Sequence, residues 1–160
     1  MSNIPTFYRI FFLYIDPLIC LSGVYIFFFD HATYLASGVP HTLSGYTIDS
    51  LSQHLLRALG SYSLCILAIQ LLLLHRYSEV KIWRIVQFGL LLVDLGLLQS
   101  IQAADGFRDP SNWTSGDWTN NGILIAVAMI RSAFLLTVRT PLLLRDQSGG
   151  LSREEDRGSK

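Results

Sequence analysis

FYRIFFLYIDPLICLSGVYIFFF, residues Phe7–Phe29, is the stretch on which the fold turns. Apart from Arg9 near its start, its only ionisable acid is Asp16, close to its middle. A helix rises about 1.5 Å per residue, so about 20 apolar residues cross a hydrocarbon core of about 30 Å. The run therefore reads as a bilayer-spanning helix. Only six residues precede it and Asp16-Pro17 interrupts it, which favours a retained span over a cleavable signal. Pro17 lacks an N–H and crowds the preceding turn, so a kink is expected near Leu13–Asp16.

Three more runs of this kind follow: Leu55–Leu74, Ile82–Ala103 and Gly122–Val138. Hydrophobic residues make up 51% of the chain and charged residues 15%, where a soluble domain would carry about 25% charge. Four spans and their connections use up the 160 residues. The expected fold is all-α, an integral-membrane four-helix bundle over residues 1–145, with a disordered cytosolic tail at 146–160. Twelve basic and twelve acidic residues cancel, so nothing in the composition suggests nucleic-acid binding, which needs a basic patch. Cys20 and Cys65 fall inside spans and read as small buried hydrophobes. His31, His41, His54 and His75 lack metal-ligand spacing. No nucleotide or flavin motif is present, and no cofactor is expected.

Lys and Arg in short loops set orientation. One side carries Arg9, Arg76, Lys81, Arg84, Arg139 and Arg145, together with the basic residues of the tail. The other carries Arg57 and Arg108 among Asp30, Asp49, Asp105, Asp109 and Asp117. Both termini are expected in the cytosol, in a protein of the endoplasmic reticulum. Asn112-Trp113-Thr114 then faces the side where N-glycosylation occurs, making Asn112 a candidate. A chance match of so short a pattern carries equal weight.

A charge at mid-bilayer costs roughly 2.5–3.5 kcal/mol on insertion scales, and three spans carry one: Asp16, Asp94 and Arg131. Asp16 and Arg131 each lie about nine residues inside their spans, from opposite edges, so both sit about 14 Å deep. Asp94 falls within one or two turns of the same height. Helical phase adds three polar seams: Arg9, Asp16 and Gly23; Gln87, Asp94 and Asp105; and His54, Arg57, Ser61 and Cys65. Arg131 bridging Asp16 and Asp94 would form a pocket. Two carboxyls sharing one guanidinium can divide into an ionised base and a protonated acid. Such a pair suits epoxide opening, the acid protonating the epoxide oxygen while the base activates water or an internal hydroxyl. Tyr14, His54, Arg57 and Tyr62 are candidate substrate-binding groups.

Each of these residues also has a plainer reading. An Asp–Arg pair can simply neutralise itself and fix helix register. His54 and Arg57 can snorkel to the interface, and Gln87 and Gln99 can join helices. Trp113 and Trp118 fit an interfacial belt better than a substrate lid.

Phe7-Tyr8-Arg9 followed by Phe12-Leu13-Tyr14-Ile15-Asp16-Pro17 resembles the first span of a family of small fungal four-helix membrane proteins, known mostly by a domain-of-unknown-function label. The likeness runs over about Phe7–Arg145. In that family the acid before the proline is often Glu, so Asp16 keeps the charge and shortens its reach. The chain is also similar, in length, span count and intramembrane acids, to membrane proteins of fungal polyketide clusters of the aurovertin, citreoviridin and asteltoxin kind. Those are assigned as epoxide hydrolases that open polyene-derived epoxides and promote ether-ring formation. This resemblance implies a membrane epoxide hydrolase or cyclase of secondary metabolism, with a lipophilic polyketide substrate. It also implies contact with membrane lipid and association with pathway enzymes. It points to Asp16 first; Asp94 and Arg131 follow from depth. The alternatives are a membrane terpene cyclase of a meroterpenoid pathway and a non-catalytic scaffold or accessory protein. A terpene cyclase also needs an intramembrane acid, but those enzymes are longer, with more spans.

Overall fold

The computed structural model describes residues 4–37, 49–103, 111, 113 and 115–138. Asn112, Asp105 and the segment beyond Val138 lie outside the described residues, as do the expectations placed on them. The described chain is helical and contains no strand. Its elements are α1 (Thr6–Phe29), α2 (His31–Ser37), α3 (Ser50–Arg76), α4 (Val80–Ala103) and α5 (Ser115–Thr137). All but α2 are long and apolar enough to cross a membrane. The fold is an all-α membrane bundle.

Two helices extend well beyond their apolar runs. Asp49 caps α3, its carboxylate accepting the Ser52 N–H at 2.7 Å, so the polar turn before Leu55 joins the helix. The helix α5 likewise begins at Ser115, ahead of Gly122. Hydropathy marks only the length in hydrocarbon, whereas helix propagation adds one backbone bond per residue whatever the side chain. At the other end of α3, Tyr77 N–H closes onto Leu73 O, and Trp83 Nε1 donates to Tyr77 O at 2.7 Å. That contact folds α4 back beside α3.

The bundle is built of two pairs. α1 packs chiefly on α3, and α4 on α5, with α2 resting against α1 and α5. Thr6, Arg76, Val80 and Thr137 mark one face of the bundle (the near face); Phe29, Ser50, Ala103 and Ser115 mark the far face. Gly60 sets the α1–α3 approach. A Cβ there would lie 2.9 Å from the Phe28 ring and 3.1 Å from Phe27 Cβ, so only glycine lets the two backbones meet this closely.

The kink expected from Pro17 takes the form of a π-helical turn, Phe11–Ile15, immediately before Asp16. Asp16 N–H bonds Phe11 O, five residues back. In that register Phe12 O would need the N–H of residue 17, which proline does not have. The orphaned carbonyl is instead reached from α3 by Gln70 Nε2 at 3.0 Å.

The near half holds an aromatic core. Phe12 and Phe134 are wholly buried, their rings 5.4 Å apart and edge-to-face, with Trp83, Phe11, Leu74 and Val80 around them. Arg84 Nη1 donates to Val138 O and ties α4 to the end of α5. The outer surface is apolar, with Leu18, Phe29, Leu72, Ile85 and Leu136 all strongly exposed, as a lipid-facing surface requires.

Candidate functional site

Mid-height in the bundle, the three charges meet. Arg131 Nη2 donates to both oxygens of Asp16, at 2.8 and 2.9 Å. Arg131 Nη1 donates to Asp94 Oδ2, and also lies 3.4 Å from Leu90 O. All three residues are buried, with Asp16 at 3% exposure. Asp94 and Arg131 belong to one helix pair and Asp16 to the other, so the Asp16–Arg131 ion pair joins the two pairs.

Gln70 completes the set. Its Nε2 donates to Asp16 Oδ2 at 2.7 Å as well as to Phe12 O. Asp16 is thus held by donors from α3 and α5, and its backbone is held by the π turn. Gln70 is absent from the polar seams that helical phase gives. The available signal was a lone amide in the run Leu64–Leu74, at the height of Asp16. Gln87, expected to join helices, is fully buried, and among the described residues neither its amide atoms nor the buried Arg131 Nε has a hydrogen-bond partner.

One guanidinium neutralises one carboxylate. Two ionised acids here would leave a net buried negative charge, which costs several kcal/mol per ion on the order of measured desolvation penalties. A single shared proton removes it. Asp16 accepts from two side chains and Asp94 from one. A carboxylate has about four lone-pair positions, so each acid keeps acceptor capacity for a further group.

Directly above this layer, toward the far face, lies a cavity of about 470 Å³. Asp16, Gln70, Asp94 and Arg131 form its floor. Its walls are apolar, including Ile19, Ile66, Leu97 and Leu124, and Tyr34 of α2 and Asn120 of α5 stand at its far end. On α1, α3 and α5 the lining residues run from the ion layer outward, on α4 they begin one turn below Asp94 at Leu90, and the aromatic core lies beneath. A mostly apolar hollow with a few convergent polar groups is the usual form of a small-molecule site.

The remaining sequence candidates lie elsewhere. Tyr14 is 59% exposed and Tyr62 71%, both turned outward, and His54 and Arg57 are exposed near the start of α3. None of the four lines this cavity. The seam His54, Arg57, Ser61 and Cys65 faces outward, while Gly60, Ser63, Leu67, Gln70 and Leu74 form the inner stripe of α3. One residue is about 100° of rotation, and the Gly60 contact with Phe27 and Phe28 fixes which residues turn in. Arg9, taken as part of the α1 seam, is exposed, as is Cys65, expected to be buried. Cys20 is half-buried on the cavity wall, its Sγ 3.8 Å from Ser63 O. Trp113 and Trp118 pack edge-to-face at 4.7 Å beside the far end of α5.

No curated protein and no solved structure matches the chain. One family does, over residues 1–141, a span that includes α1 through α5 and therefore every member of the ion set. The chain belongs to the family described as a domain of unknown function, DUF7704.

Proposed function

We propose that this chain is a membrane-bound epoxide hydrolase or cyclase, opening an epoxide of a lipophilic polyketide intermediate in fungal secondary metabolism. One observation carries the reading: an Asp–Arg–Asp set, held by Gln70, forms the floor of an apolar-walled cavity inside a membrane bundle. The likeness to fungal cluster enzymes supplies the epoxide and the polyketide. On the Lys/Arg distribution, we place the near face and both termini in the cytosol, and we assign the protein to the endoplasmic reticulum as part of the same reading.

In this mechanism Asp94 carries the shared proton and Asp16 is ionised, because Asp16 receives both Arg131 and Gln70. Asp94 gives its proton to the epoxide oxygen as the C–O bond breaks. Asp16 takes a proton from water, whose oxygen bonds to the opened carbon. The product is a vicinal diol. When a substrate hydroxyl replaces water, the product is a cyclic ether. Asp16 ends protonated and Asp94 ionised, and transfer of one proton between them restores the start. Arg131 balances the charge throughout, and general acid–base steps of this kind contribute about 10²–10⁴-fold each.

The Asp16–Arg131 link between the two helix pairs favours a second reading, a scaffold whose charges only assemble helices. Membranes from a heterologous host, given an epoxidised polyene in isotope-labelled water, separate the two. Asp16→Asn and Asp94→Asn should each cut diol or ether formation at least about 100-fold at unchanged abundance in the membrane. Wild-type membranes that form no product, or variants whose surviving protein is fully active, refute the enzyme.

A further inference from the structure

The shape of the cavity limits what can reach its floor. Its lining on α1 runs from Asp16 to Phe27, on α3 from Gln70 back to Leu59, and on α5 from Arg131 back to Asn120. Each spans eleven residue steps, about 16 Å of helix. The aromatic core lies beneath the floor, so a molecule entering along this axis presents its reacting group to Asp94 and Asp16 at its leading end. Its body must then run along apolar walls.

Gly23 keeps the passage open. It lines the cavity seven residues above Asp16, about 10 Å along the helix, and a Cβ placed there meets no atom within 4 Å. Any larger side chain would enter the hollow rather than pack. Tyr34 stands at the far end. It is half-buried, its ring 5.2 Å from that of Phe27, and its hydroxyl has no hydrogen bond among the described residues. The short helix that carries it is anchored at its N-terminal end. Asp30 accepts from Thr33 N–H and Oγ at 3.1 and 2.7 Å, and a His31 ring nitrogen lies 3.0 Å from Phe27 O.

From this geometry we infer that the substrate is an elongated amphiphile about 16 Å long, with its epoxide leading, its apolar body passing Gly23 and a hydrogen-bonding group at its trailing end meeting Tyr34. Gly23 and Tyr34 are then the residues that set length and polarity preference. The inference rests on the reaction proposed above for its reacting group, though not for its dimensions.

The full chain in lipid nanodiscs tests it with two probe sets. The first is a series of terminal epoxides bearing a distal hydroxyl, about 10, 16 and 22 Å long, with distal-methyl and mid-chain-epoxide analogues of the middle length. The second is the matching saturated diols, competing with a fluorescent polyene alcohol for binding. Expected are a kcat/KM optimum at the middle length and poor turnover of the mid-chain epoxide. Gly23→Leu should move the optimum to the shortest probe, with Leu124→Phe as a second blocking variant should Gly23→Leu fail to accumulate. Tyr34→Phe should raise KM about five- to tenfold, the worth of one hydrogen bond, for the hydroxylated probe alone, with kcat unchanged. Epoxides opened without regard to length, Gly23 or Tyr34 overturn the inference and leave the reaction standing. Diols that bind with the same length optimum and Gly23 shift, while no epoxide is opened, support the inference and remove the reaction. Diols that bind without a length optimum overturn it.

Discussion

Replacing Arg131 should unfold this bundle far more readily than replacing either acid, because the three charges count as one plus and two carboxyls. Asp94→Asn leaves Arg131 paired with Asp16, and Asp16→Asn leaves it paired with Asp94, so each variant stays balanced. Asp94 has one partner side chain and Asp16 has two. The expected costs are about 1 kcal/mol or less for Asp94→Asn and about 1–2 kcal/mol for Asp16→Asn. Arg131→Met removes the only cation and strands both acids in a buried site, which costs about 3–5 kcal/mol. For a domain near this size that lowers the melting temperature by about 6–20 °C. Adding both Asn substitutions to Arg131→Met removes all the charge and should recover at least half of the loss. The assay is thermal unfolding of the purified chain in mild detergent, followed by circular dichroism. Arg131→Met melting with the wild type, or no recovery in the triple variant, would show that these side chains do not share a buried site.

Gln70→Leu strands Phe12 O and removes one donor from Asp16; a loss of about 1–3 kcal/mol is expected in the same melt, and an unchanged melt would deny the clamp. Gly60→Ala forces a methyl to within 2.9 Å of the Phe28 ring. It should destabilise the α1–α3 pair by about 1–3 kcal/mol, whereas Gly23→Ala, which meets open space, should not. Asp30 and Asp49 are held below the usual carboxylate range by the side chains and backbone N–H groups of Thr33 and Ser52 respectively. Because the folded state favours their ionised forms, the order they bring is complete above about pH 4 and fades as pH falls through the lowered values. Hydrogen-exchange protection at the first turns of α2 and α3, taken relative to the intrinsic rate at each pH, should therefore fall in acid. Asp49→Asn should remove the pH dependence at Ser52, and the same acid response in that variant would refute the cap.

Hydropathy and charge placement made the four spans legible, along with the common depth of Asp16, Asp94 and Arg131. Both depend on the cost of moving polar groups into hydrocarbon, which acts on local sequence and needs no partner. Rotation about each helix axis was legible only for α4 and half of α1, where Gln87, Asp94 and Asp16 turn inward as the seams require. On α3 the polar residues His54, Arg57 and Ser61 misled, because side chains near an interface reach water from any face. Only the packed structure shows that Gly60 against Phe28 sets the rotation, and that this brings Gln70 to Asp16.

The primary sequence by itself determined a membrane bundle with two acids and one base at one level, since burial free energy per residue suffices for that. Tertiary packing decided that Phe12, Trp83 and Phe134 pack together on the near side of the ion set while a hollow opens on its far side. It also decided which carbonyl the π turn frees. Volume and hydrogen-bond partnership belong to groups on different helices, and a linear pattern does not encode the distances between them.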